Sequence, residues 1–166
     1  MSNTSSLRKA SSLPSAAGRS KASVRYDTSD DVVKVSNGTN WLPVTYHDIA
    51  FNMLDNGSLA TQTFFIASRT LEVVSVREVH SVVGSDSGAV SVTVTKDTGT
   101  NAPGAGTAVL SAVLSLKATA NTTQSGALSA TAATLKLAAG NRLAIKFAGV
   151  LTAAAGVTVT VTVKEI

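Results

Sequence analysis

The sequence predicts an all-β fold: a jelly-roll-like antiparallel β-sandwich of about eight strands, preceded by an extended N-terminal arm and a small β-meander. Three observations carry this reading. Valine alternates with threonine through Val157-Thr158-Val159-Thr160-Val161-Thr162-Val163, and the same period of two runs through Val90-Ser91-Val92-Thr93-Val94-Thr95 and Leu143-Ala144-Ile145-Lys146-Phe147. Such a period belongs to a strand with one apolar and one polar face. Glycine- and asparagine-rich breaks at 56–57, 84–88, 99–106, 126, 139–141 and 156 cut the chain into strand-length pieces. Helical periodicity is weak throughout. Eight strands with such turns fit two packed antiparallel sheets.

The elements follow in order. Residues 1–23 form the arm, 24–45 the meander and 46–166 the sandwich. In the meander, three short strands are joined by an Asp-rich turn and by Asn37-Gly38, a strong hairpin signal. Pro43 confines the last of them to an edge or an end. A meander this small is marginal alone, and Tyr26 and Trp41 are its expected contact residues. Sandwich strands are expected near 46–54, 60–67, 71–83, 89–96, 109–117, 122–130, 142–149 and 157–165. At 108–114, Val109, Leu110, Val113 and Leu114 also fit one helical face, so a turn or two of helix competes there. Burying each valine of 157–163 contributes roughly 1.5–3 kcal/mol. A one-residue slip would bury threonine instead, so register in this strand is firmly set.

With 166 residues the chain is long enough for one domain with an appendage and a real core. Charged residues are 14% and aromatics 4%, so the core is built of Val, Leu and Ala. Cysteine is absent, which excludes a disulfide framework, a thiolate nucleophile and a Cys-ligated metal. The net charge of +4 is unevenly placed. Arg8, Lys9, Arg19, Lys21 and Arg25 stand in a stretch with no acid, whereas the remainder carries 9 Lys/Arg against 10 Asp/Glu.

All the excess basicity therefore sits on the arm. The arm has no apolar run, so it is no secretory signal, although its Arg- and Ser-rich, acid-free start shares features with an organelle transit peptide. A solvated tail is the plain reading. Docking on an acidic protein surface is favoured over it. Nucleic acid is the least favoured partner: five cations can neutralise phosphates, but no aromatics are interleaved for base stacking. No segment has the length and apolarity of a membrane-spanning helix, so no membrane partner is expected.

Candidate reaction chemistry is sparse. Gly84-Ser85-Asp86-Ser87-Gly88 has the outline of a nucleophile elbow, but Asp86 stands at its centre, and a hairpin loop is the simpler reading. Gly99-Thr100-Asn101-Ala102-Pro103-Gly104 has the glycine spacing of a phosphate loop, with Ala105 where the essential Lys belongs. His47 and His80 have no ligand partner at a useful local spacing; His80 follows Glu78 on one strand face. Asp27, Asp30 and Asp31 lack the alternation and closing Glu of a calcium loop. The Asn-x-Ser/Thr triplets at Asn3, Asn37, Asn56 and Asn121 are ordinary in so Ser/Thr/Asn-rich a chain. No enzyme activity, metal or cofactor is expected.

The phrase Val24-Arg25-Tyr26-Asp27-Thr28, followed further on by Val33-Lys34-Val35-Ser36-Asn37-Gly38-Thr39-Asn40-Trp41, resembles the short linking motif of fibre and appendage proteins of tailed bacteriophages. Residues 116–122 (Leu-Lys-Ala-Thr-Ala-Asn-Thr), 137–145 (Leu-Ala-Ala-Gly-Asn-Arg-Leu-Ala-Ile) and the closing Val-Thr repeat resemble the small β-sandwich domains of head decoration, cement and fibre proteins. The resemblance implies a virion structural role on the capsid exterior, synthesis in the host cytoplasm and commonly a homotrimer. The implied partner is the major capsid protein, with Arg8, Lys9, Arg19, Lys21 and Arg25 docking on it. Tyr26, Trp41, Leu42, Tyr46 and whichever of Phe64 and Phe65 faces away from the core are the expected oligomer contacts, because neighbours on a strand face opposite sides. A head or tail fibre module binding a host glycan is the alternative; an enzyme, lacking visible paired carboxylates or a triad, is the other.

Overall fold

The computed structural model describes residues 9–10, 23–28, 32–36, 38–43, 46–53 and 59–166. They fall into two compact units, Met1–Thr45 with Ile166, and Tyr46–Glu165.

The first unit is a four-stranded sheet in the order β1-β2-β3-β4, formed by β1 (Lys9–Ala10), β2 (Val24–Asp27), β3 (Val32–Ser36) and β4 (Trp41–Pro43). β2, β3 and β4 make the antiparallel meander, and β1 lies parallel to β2. Lys34 on β3 reaches back to the buried Asp27 on β2, Nζ to Oδ2 2.8 Å. The β3–β4 connection differs from the expected tight turn. Ser36 pairs with Trp41, so four residues intervene. Gly38 takes φ +95°, and its N–H donates to Ser36 Oγ at 3.0 Å. Pro43 closes β4 at the end of the sheet order, a place that tolerates proline.

The second unit contains β5 (Tyr46–Met53), β6 (Gln62–Ile66), β7 (Leu71–Val79), β8 (Ser91–Asp97), β9 (Thr107–Ala108), β10 (Leu114–Ser115), β11 (Gln124–Ser125), α1 (Ala132–Leu135), β12 (Lys136–Leu137), β13 (Arg142–Ala148) and β14 (Val157–Glu165). One sheet runs β11-β7-β14-β5, with β12 also on β7; the other runs β10-β8-β13-β6, with β9 also on β8. Every pairing is antiparallel. With β9 and β10 taken as two pieces of one strand, and β11 and β12 as two pieces of another, eight strands form two four-stranded sheets in jelly-roll order, successive strands changing sheet except β8 and β9/β10, which share one.

Both inner faces supply one hydrophobic core. Val157, Val159, Val161 and Val163 point inward from β14 while its threonines face outward. Leu143, Ile145 and Phe147 of β13 and Val92 and Val94 of β8 meet them from the second sheet. Phe51 and Phe64 extend this core to the outer strands, with ring centroids 5.6 Å apart at 54°.

Four expectations are corrected. Residues 108–114 are not helical; Leu110 bridges Leu128, and the strand expected at 109–117 is reduced to β10, with β9 at Thr107–Ala108 just before it. The helix is instead one turn at Ala132–Leu135, where an Ala/Thr run carries no period-two signal. That turn separates β11 from β12, the second half of a strand expected only at 122–130. Residues 84–88 are no hairpin, because β7 and β8 lie in opposite sheets. Phe64 and Phe65 do not divide between core and exterior: both pack against the core, beside a register shift at Leu143/Ala144 that interrupts alternation in β6.

Gly149 shows how closely the loops approach. At φ +92°, a Cβ there would collide with the Ala89 carbonyl oxygen, so only glycine serves. Among the described residues, no helix is long and apolar enough to cross a membrane.

Candidate functional site

Four polar arrangements and one groove stand out on the sandwich. The groove, about 270 Å³, opens where β5 and β6 end their respective sheets. Ile49, Phe65, Leu71 and Val163 make its apolar floor, and His47, Ser68, Arg69 and Glu165 its rim. Glu165 is largely buried; Arg69 Nη1 donates to its Oε1 at 2.7 Å and His47 Nε2 lies 3.6 Å away. This arrangement offers a small ligand an apolar surface bordered by hydrogen-bonding groups.

The glycine-rich loop after β8 is closed around an anion supplied by the chain itself. Asp97 is fully buried. Its Oδ1 accepts from Thr95 Oγ1 (3.0 Å) and the Gly106 N–H (2.8 Å), and its Oδ2 accepts from the Gly104 N–H (2.9 Å). A Cβ at Gly106 would strike the Lys96 carbonyl. Arg142 ties down the same loop through the carbonyls of Gly99 (3.1 Å) and Asn101 (2.7 Å). The donors that could cradle a phosphate are thus already engaged.

Asp86, at the centre of 84–88, is a clasp between loops. Thr152 Oγ1 donates to its Oδ1 at 2.7 Å and the Ala153 N–H to its Oδ2 at 3.2 Å. Lys117 Nζ donates to the carbonyls of Asp86 (2.7 Å) and Gly88 (2.9 Å). The Thr152 hydroxyl, above all, holds the Asp86 carboxyl below its ordinary value; desolvation opposes this, while the Ala153 and Thr152 N–H groups and the Lys117 charge add to the lowering. A depressed carboxyl contributes stability above its unfolded value that is lost as pH falls through its folded value. The Ala153 amide resonance should therefore titrate with a midpoint below that of a free aspartate, and lie flat in Asp86→Asn. An identical titration in the variant would refute the clasp.

His80 and Glu78 are buried together. His80 Nδ1 lies 2.9 Å from Glu78 Oε1, and His80 Nε2 lies 3.1 Å from the Ala118 carbonyl. Gln124 Nε2 donates to Glu78 Oε2 (2.5 Å) and to the Ser115 carbonyl (2.9 Å). The i, i+2 spacing seen in the sequence was the signal for this contact, though not for its burial. The fourth arrangement is an outward ladder: Ser75 Oγ donates to Thr162 Oγ1 (2.9 Å), which donates to Asp48 Oδ1 (2.7 Å). Among the described residues, no group of three or more His, Asp or Glu is placed to hold a metal ion.

The sequence-selected residues are dispersed. Arg8, Arg19 and Lys21 lie outside the described residues. Lys9 belongs to β1, and Arg25, half-buried, to β2 opposite Lys34. Tyr26 and Trp41 are half-buried, and Leu42 sits on β4 opposite Val35. Tyr46, 63% exposed, opens β5 opposite Lys164. Only Phe65 reaches the groove, where it joins His47. Arg69, Ser68 and Glu165 carried no local signal, because the rim assembles from β5, the β6–β7 turn and the end of β14.

No family model matches this chain, and no curated protein sequence does. Among solved structures, one described as "Structure of infectious bursal disease virus Gx strain" is similar at 16% identity, over 80% of this chain, with a TM-score of 0.36. This chain spans about a third (34%) of that one, and so loose a likeness carries no functional weight.

Proposed function

We propose that this chain is a structural virion protein that decorates or cements the capsid of a tailed bacteriophage. The observation that carries the reading is the charge division: an acid-free cationic stretch precedes a near-neutral jelly-roll domain whose loops are clasped to one another. Its support also includes the sequence resemblance described above. In this reading the arm docks on acidic surfaces of the major capsid protein, on the shell exterior, and the domain serves as a rigid bridge without turnover or cofactor. A homotrimer, joined through sandwich faces and the meander, presents three arms at once and strengthens weak attachment through effective concentration.

The test uses the full chain with Arg8, Lys9, Arg19, Lys21 and Arg25 changed to Gln. Exposed charge pairs contribute about 0.2–1 kcal/mol each, and about 1.4 kcal/mol is tenfold in affinity. Binding to purified shells at low salt should therefore weaken about tenfold or more, with the wild-type mass in solution that of a trimer. Undiminished occupancy would sink electrostatic docking, and a monomer at micromolar concentration would sink the free trimer. The groove favours one second reading, a fibre module that binds a host glycan. Saturable binding of host polysaccharide by the wild type, lost in Arg69→Ala, would select it.

A further inference from the structure

The buried Glu78–His80 pair holds the β10–β11 connection, residues 116–123, at several points. The Ala118 carbonyl meets His80 Nε2, the Asn121 N–H donates to the His80 carbonyl at 2.8 Å, and Gln124 joins Glu78 to the Ser115 carbonyl. The same connection anchors its neighbours. The Leu116 carbonyl accepts from the Gly84 N–H at 2.8 Å, and Lys117 caps the carbonyls of Asp86 and Gly88. Asp86 in turn holds the β13–β14 loop. One buried pair thus stands behind three loops.

Donor and acceptor chemistry fixes how many protons this arrangement needs. A carbonyl only accepts, so Nε2 must carry hydrogen. Gln124 already donates to Glu78 Oε2. The remaining contact, Nδ1 to Oε1, is a hydrogen bond only if a proton lies between them: on the ring beside a carboxylate, or on a carboxyl beside a neutral ring. Without it, two lone pairs face one another in a dry site. With a second added proton the ring is charged and the carboxyl is not, leaving a buried charge uncompensated.

Across the sheet from Glu78 stand Val159 of β14 and Gln124 of β11. Among the described residues Glu78 is the titratable partner of His80. The charged side chains of the clasped loops, Lys117 and Asp86, are engaged with loop groups instead.

We propose that the Glu78–His80 pair is a proton-counting latch, which keeps the β10–β11 connection and the loops tied to it closed only over the pH interval in which the pair shares one proton. Glu78→Gln is the informative variant. Its amide can donate to Nδ1 and accept from Gln124 while Nε2 still donates to Ala118, so the four contacts persist with no shared proton. Hydrogen exchange at the Asn121 amide is the readout, compared between wild type and Glu78→Gln from about pH 4 to about pH 10, a range spanning ordinary carboxyl and imidazole titration. The wild-type protection factor should pass through a maximum and fall at least tenfold toward both ends, whereas the variant, whose imidazole can still gain a proton, should lose protection only toward the acid end. Parallel profiles would overturn the latch. If the variant does not fold, carboxyl carbon and imidazole nitrogen resonances of the wild type decide. One shared proton at the maximum supports the latch; an ionised Glu78 beside a ring bare at Nδ1 overturns it.

Discussion

Asp97→Ala should unfold the protein at markedly lower denaturant, with a loss of about 3–4 kcal/mol. Hydrogen bonds to a charged group contribute about 1.5–3 kcal/mol each, and buried donors left unpaired cost about 1–3 kcal/mol. Here one fully buried carboxylate serves three donors: Thr95 Oγ1 and the N–H groups of Gly104 and Gly106. Gly104 and Gly106 sit in a loop also held by Arg142, so the loss should fall short of the pairwise sum. Asp97→Asn is the control for charge: its amide retains one acceptor oxygen but sets a donor against a backbone N–H. It should recover only part of the loss. A chemical-denaturation midpoint unchanged in Asp97→Ala would show that the loop is organised without its carboxylate.

The double replacement Val159→Thr/Val161→Thr should be comparably severe, about 3–5 kcal/mol, since each hydroxyl buried without a partner costs about 1–3 kcal/mol on top of lost apolar contact. Both valines are fully buried at the centre of the first sheet. Thr160→Val, on the opposite face of the same strand, should change stability by no more than about 0.5 kcal/mol. The contrast between faces is the critical result. Equal losses on both faces would mean that β14 is not held in the register Val159↔Phe51 and Val161↔Ile49.

What the sequence disclosed follows the physics of each element. β5, β6, β7, β8, β13 and β14 were legible because alternation and glycine breaks are local signals, and even the strand count of the sandwich was readable from them. The strands that border each sheet at its far end, expected at 109–117 and 122–130, were legible only in part. There the chain pairs in two-residue fragments, β9 and β10 on β8 and β11 and β12 on β7, too short to establish a period. The segment over Asp97 was legible as a long loop, but its glycine spacing did not disclose that the loop closes on a buried carboxylate of the chain itself. The groove was hardly legible at all, since its rim converges from distant segments. His80 was legible as a neighbour of Glu78, but only folding reveals that the pair is dry.

The position of β14 also governs when the molecule can acquire its shape. This strand is the last of its domain, yet it lies between β5 and β7 and supplies the ladder to both. During synthesis, at about 5–20 residues per second, β5 and β7 leave the ribosome with the slot between them still empty. Neither can be completed by anything nearer in sequence. The sheet therefore cannot close until β14 has emerged, through pairings of wide sequence separation that form slowly. For the seconds in between, two apolar strands wait for one insert, and a neighbouring nascent chain carrying the same Val-Thr strand could fill it. Crowded synthesis would then favour strand exchange between copies, and slower expression would favour the closed domain.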